Sequence, residues 1–250
     1  LGRECTPADL AAHPTLARLS AFLQDPVQPS PLVCLRASGP GIPLFCIHPA
    51  GGLITAYLGL TKLDRPIYAI SAHGHPESIQ SMARDYARLI HQTCGDNPLA
   101  LLGWSLGGVI AQAVAGCLEG QGHQVVALAM IDPPRPGLRL DRERSVLALL
   151  HNYSQQTPSL SELRLHCRGL ATEHLLQLLE ARGWLAEGVL RGSQFLQALK
   201  VYQRHGELLQ QHQPVQVQAP IWMWRAKSAV RADYWRPFSA GPWREFSLGG

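Results

Sequence analysis

The chain has 250 residues, 46% of them hydrophobic and 16% charged, which is enough apolar material for one substantial core. Its net charge of +4 comes from scattered basic residues set against 18 acidic ones, so no nucleic-acid stripe is expected. Six cysteines without a C-x-x-C pair fit neither a zinc site nor a disulfide framework, and they read as free thiols in a reducing cytoplasm.

Thr6-Pro7 and His13-Pro14 are helix starts, and Leu16, Leu19, Phe22 and Leu23 recur at helical spacing. Residues 1–24 therefore predict a short helical piece with too little apolar surface to stand alone. Residues 24–43 hold Pro26, Pro29, Pro31, Pro40 and Pro43, the composition of a linker, and a boundary is expected at 25–30. Strand and helix then alternate. Short strands are predicted over Pro43–Ile47 and Pro66–Ser71, an amphipathic helix over Ser78–Cys94 and a third strand over Leu99–Leu102. A helix over Gly107–Leu118 and an uninterrupted apolar strand over Val125–Ile131 follow. This order predicts an α/β fold with a mostly parallel sheet flanked by helices, and such sheets bind ligands beyond the carboxyl ends of their strands.

The uncharged stretch Leu99–Leu118 has the length of a membrane span, but Gly103, Ser105, Gly107, Gly108 and Gln112 interrupt it. It reads as strand, turn and helix, and no membrane contact or secretory leader is expected. Residues from about 135 to 212 carry helical patterns rich in Leu, Gln, Arg and Glu, an insertion that reads as a helical lid. Strands resume over Ala219–Trp224 and Trp243–Leu248.

Chemistry concentrates where the third strand turns into a helix. Gly103-Trp104-Ser105-Leu106-Gly107 places a hydroxyl on a sharp turn at a helix N-terminus, with glycines that let strand and helix close around it. The helix dipole and the Leu106 N–H would stabilise an oxyanion formed there. Cys46-Ile-His-Pro-Ala-Gly-Gly52 follows the first clear strand, and the Ala50 N–H is the candidate second donor. Asp132, 27 residues after Ser105 and at the end of a strand, is the candidate acid, with Asp233 as its rival.

In this order, Pro43–Gly52, Arg65–Ile70, Gly103–Gly108 and Ile131–Pro134 resemble the landmarks of terminal thioesterase domains of non-ribosomal peptide synthetases and polyketide synthases. The resemblance runs from about Pro31 to Gly250 and implies an α/β-hydrolase fold. It implies that Ser105 takes an acyl or peptidyl chain from a thioester on 4′-phosphopantetheine, the arm of an upstream carrier domain in the same polypeptide. Hydrolysis or intramolecular cyclisation would then free the product. No cofactor or metal is expected in the domain itself, and the family pattern favours Asp132 over Asp233. Residues 10–23 resemble the last helix of a carrier domain.

The resemblance also requires a histidine after the last strand, yet the last one is His212, so the base is expected just beyond Gly250. His48 would approach the serine from the wrong side, His73 and His75 flank a loop glycine, and His91 and His123 fall at helix ends. His151, His166, His174, His205 and His212 of the insertion are expected to be exposed or to touch substrate. Rival readings are an editing thioesterase, an esterase or lipase, and a non-catalytic acyl-binding module.

Overall fold

Strands of unbroken apolar sequence form where both faces of a sheet are covered, and strands that mix in charge form at its edge. The computed structural model follows that rule over the residues it describes, 15–24, 30–138, 141–153, 157–185, 192–226 and 232–248. The strands are β1 (Leu32–Arg36), β2 (Leu44–Ile47), β3 (Ile67–Ile70), β4 (Leu99–Trp104), β5 (Val125–Ile131), β6 (Ile221–Arg225) and β7 (Trp243–Ser247). They form one sheet in the order β1-β3-β2-β4-β5-β6-β7. Only β1 runs antiparallel, against β3, and every other pairing is parallel. Leu-Phe-Cys-Ile of the inner strand β2 is wholly buried, whereas Trp-Arg-Glu-Phe-Ser of edge strand β7 is mostly exposed.

Residues 32–36 lie in the proline-rich stretch 24–43, where no strand was expected, yet they form one. The prolines around them sit outside its five residues, and an edge strand leaves one row of backbone groups unpaired, which tolerates nearby proline. The helix starts expected at Thr6-Pro7 and His13-Pro14, most of the linker expected at 25–30, and Gly250 lie outside the described residues. A short helix, α1, spans Leu16–Gln24.

The described residues divide into two compact units. The first comprises the chain up to Pro136 together with Gln211 onward, and the second is Gly137–Gln210. In the first, α2 (Ile79–Cys94) packs on α3 (Leu106–Gly120), which packs on β4 and β5. Every residue of α3 from Leu106 to Ala115 is buried, which is why its sequence is apolar all round rather than on one stripe. The other sheet face presents Leu44, Cys46, Ile67, Ala69, Ala100 and Leu102 to a 3₁₀ helix over Thr55–Lys62 that contributes Tyr57. The second unit is helical in its described residues: α4 (Arg142–Tyr153), α5 (Leu160–Cys167), α6 (Thr172–Ala181) and α7 (Gly192–Gln211). The five cysteines among the described residues are free, as expected. No helix among the described residues is long and apolar enough to cross a membrane.

Candidate active site

Ser105 follows the last residue of β4 and stands at the N-cap of α3 with φ 54° and ψ −128°. A non-glycine residue in the left-handed region costs about 1–3 kcal/mol, so packing must hold it there. Three contacts show how. A Cβ on Gly103 would lie 2.0 Å from the Gly107 carbonyl oxygen, and one on Gly107 would lie 2.3 Å from that of Ile47. Both are below any real contact distance, so only glycine permits α3, β4 and β2 to meet. The Ser105 N–H also donates to Ile131 O at 2.7 Å, which extends the β4–β5 ladder past the strand end.

An ordinary N-cap serine spends its hydroxyl on the first turn, as Ser78 does for α2, where its Oγ accepts from the Ser81 N–H at 3.0 Å. The Ser105 side chain makes no such cap bond. Its hydroxyl sits on the positive end of α3, whose first backbone N–H groups, Leu106 among them, have no partner within the helix.

Asp132 takes the equivalent place one strand over. Trp104 pairs with Ile131 in register, so the two candidates follow paired residues. Asp132 has φ 43°, its N–H donates to Trp224 O at 2.9 Å, and its Oδ1 accepts from the Ala226 N–H at 2.7 Å. The carboxylate is therefore aimed by the end of β6. Asp233 is exposed in a short 3₁₀ turn over Ala232–Tyr234, which Arg135 approaches by stacking its guanidinium 5.0 Å from the Tyr234 ring centre.

The loop after β2 lies against the elbow, because Gly107 packs on the carbonyls of Ile47 and His48. Ala50 is buried in a turn closed by the Gly52 N–H to Pro49 O at 2.9 Å. His48 is fully buried, with Nδ1 2.8 Å from Pro49 O and Nε2 2.7 Å from the Tyr86 hydroxyl. A carbonyl only accepts, so in the neutral ring Nδ1 donates and Nε2 accepts from Tyr86. With both nitrogens engaged, His48 positions its loop and is not placed to serve Ser105.

The sequence reading missed Tyr57. Its hydroxyl donates to Ile47 O at 2.6 Å and accepts from the Trp104 N–H at 2.9 Å, joining the carboxyl ends of β2 and β4 immediately before the elbow. Burial pushes its phenol pKa up, so it remains a neutral donor. Its one sequence signal is a lone aromatic residue in the stretch Leu53–Leu60.

The other histidines divide. His73 and His75 line a cavity of about 280 Å³ with Pro31, Met82, Asp85 and Tyr86. His151 and His174 are exposed and His166 is half-buried, but His205 is buried, contrary to expectation. It shares the inward stripe of α7 with Phe195, Ala198, Leu199, Leu208 and Leu209, a helical spacing visible in the sequence. His212, half-buried after α7, has its pKa pulled down to about 4 by desolvation. Among the described residues only His91, Asp96 and His123 group as metal ligands, and they lie at the amino ends of β4 and β5.

Residues 42–235 match the family described as Thioesterase domain. The chain is 32% identical over 264 aligned residues to a dimodular nonribosomal peptide synthase of Bacillus subtilis (strain 168), covering 96% of this chain and 11% of that one. It thus spans about a tenth of that relative's length. The crystal structure of holo-AB3403, a four-domain nonribosomal peptide synthetase bound to AMP and glycine, matches with TM-score 0.73 and 25% identity, covering 100% of this chain and 21% of that one. The NocB thioesterase domain, in covalent complex with a fluorophosphonate nocardicin G analog, matches with TM-score 0.59 over 88% of this chain and 90% of that one. At 20% identity the NocB likeness is one of fold.

Proposed function

Because the chain belongs to the thioesterase domain family, we propose that it frees an acyl or peptidyl product from a carrier domain of the same polypeptide, with Ser105 as nucleophile. The substrate in this reading is a thioester on the 4′-phosphopantetheine arm of that carrier. The Ser105 oxygen attacks the thioester carbonyl, and the collapsing tetrahedral intermediate breaks the C–S bond. The serine proton passes through an imidazole to the departing thiolate. Water or an internal amine or hydroxyl of the substrate then attacks the acyl-serine, giving a free acid or a ring. A thiolate leaves readily, so the main demand on the protein is to stabilise the oxyanion. The Leu106 N–H at the start of α3 and the Ala50 N–H of the adjoining loop are the donors in this scheme.

Asp132 orients the imidazole, with Asp233 as the alternative acid. No histidine follows β6 in the sequence, so none of residues 226–250 supplies the imidazole of this scheme. The observation that carries it is the left-handed Ser105, unspent as a cap and seated on a buried helix N-terminus. The test is a fluorophosphonate probe on the native, full-length polypeptide, with the adduct mapped by mass spectrometry, alongside turnover of an acyl-phosphopantetheine thioester and its simple ester. Labelling at Ser105 with preference for the thioester is expected. Preference for the simple ester would make it an esterase, and no adduct would make it an acyl-binding module.

A further inference from the structure

At the sheet edge opposite Ser105, two helices end in turns that contain a glycine of positive φ. Gly95, with φ 57°, closes α2 by donating its N–H to His91 O at 2.8 Å. The reversal returns Asp96 to the last helical turn, where its Oδ1 lies 3.9 Å from His91 Nδ1. Gly122, with φ 86°, closes α3, and the following His123 N–H donates to Leu118 O at 3.0 Å. This second reversal presents His123 to the first, with the rings of His91 and His123 4.9 Å apart and inclined by 66°. One ligand atom from each of His91, Asp96 and His123 lies within 4.8 Å of the others. His123 is only 7% exposed, and its Nδ1 is buried without a hydrogen-bond partner among the described residues. Such a nitrogen is costly to bury unless something takes its lone pair or proton.

We propose that His91, Asp96 and His123 bind a late first-row divalent cation, Zn²⁺ or Ni²⁺, that clamps the ends of α2 and α3. Two imidazoles with one carboxylate suit borderline cations, whereas Ca²⁺ and Mg²⁺ call for oxygen donors throughout. Zinc–nitrogen bonds of about 2.0–2.1 Å put tetrahedral ligand atoms roughly 3.4 Å apart, so the cluster must tighten by about an ångström. His91 and Asp96 are exposed on either side of one glycine, and rotation of those two side chains supplies that movement. Water completes the coordination. A strand of six residues puts the clamp about 20 Å from Ser105, so its role is to fix helix ends rather than to take part in acyl transfer. The three ligands are too scattered to form a spaced sequence motif, which explains why no metal was expected.

Titration of the native protein with Zn²⁺, Ni²⁺ and Co²⁺ tests this, read by calorimetry, thermal unfolding and the Co²⁺ absorption spectrum. One ion per chain, a raised Tm and a cobalt spectrum free of thiolate charge-transfer bands are expected. His91→Ala and Asp96→Ala, at exposed positions, should each weaken binding by about tenfold or more while leaving the metal-free Tm unchanged. His123→Gln should likewise weaken binding by about tenfold or more, at some cost in stability. A wild-type protein that binds no ion, affinity unchanged in His91→Ala, or a thiolate-dominated cobalt spectrum would overturn the site.

Discussion

Ser105 and Asp132 are the two non-glycine residues with positive φ among the described residues, and they directly follow Trp104 and Ile131, which pair in register on adjacent strands. Backbone strain of this kind persists only where the surroundings over-determine it, and it gathers at functional positions. Here it falls on a hydroxyl and a carboxylate at the same edge of one sheet.

Relieving that strain should separate stability from chemistry. Ser105→Gly removes about 1–3 kcal/mol of left-handed strain and adds roughly 0.5–1 kcal/mol of chain entropy cost. The variant is expected to gain about 1 kcal/mol in urea unfolding while losing all fluorophosphonate labelling. A variant that is less stable than the parent would show that the hydroxyl makes a structural bond.

Asp132 and Asp233 can be told apart by amide substitution. Asp132→Asn keeps an oxygen to accept from Ala226 and tolerates positive φ, so its Tm should stay within a degree or two, by the small cost of such a replacement. Thioester turnover should fall by about 10²–10⁴, as when an imidazole loses its orienting carboxylate. Asp233→Asn, on an exposed turn, should leave turnover within about twofold. Steady-state kinetics on the full-length protein decides, and a larger loss in Asp233→Asn would exchange the two roles.

Tyr57→Phe should harm both folding and acylation. It strands the buried Ile47 carbonyl and Trp104 N–H, at about 1–3 kcal/mol for unsatisfied groups, and unties β2 from β4 next to Ser105. A lower urea midpoint together with slower probe labelling is expected. Slower labelling without loss of stability would instead point to contact between the hydroxyl and the acyl group.

His212 should make the fold acid-sensitive. Desolvation holds its pKa near 4 in the native state, against 6.5 for the ordinary imidazole that an unfolded chain presents. Above 6.5 both states are neutral. As pH falls the unfolded state binds a proton that the native state refuses, so stability drops until the native ring titrates too. The total is roughly 2–3 kcal/mol after allowance for partial exposure, and His212→Gln should flatten that part of the stability profile measured by urea unfolding between about pH 7 and about pH 4.

The strands with unbroken apolar runs were legible in the sequence because burial on both faces leaves no other composition. The strand over Leu32–Arg36 was not, because its flanking prolines outweighed five residues whose alternation is faint. At the candidate site, the G-x-S-x-G turn and the aspartate after a strand are local patterns, and the sequence carries them openly. Tyr57 and the His48–Tyr86 pair act across 47 and 38 residues, and nothing in a linear pattern links those positions. His205 lay in plain view on a helical stripe and was misjudged because histidine is more often polar surface than core.

Glu119, near the end of α3, accepts from the Gln218 and Ala219 N–H groups at 2.8 and 2.7 Å, immediately ahead of β6. Since α3 starts at Ser105 and β6 ends at the amide that aims Asp132, a closed circuit results: down one helix, across one carboxylate, and back up one strand. A helix of 15 residues spans about 22 Å, and the eight-residue step from Gln218 to Ala226 spans a similar length of roughly 26 Å. The circuit uses no residue between Gly137 and Gln210. Changes of length or sequence within the helical insertion therefore leave the spacing of the serine and the aspartate untouched.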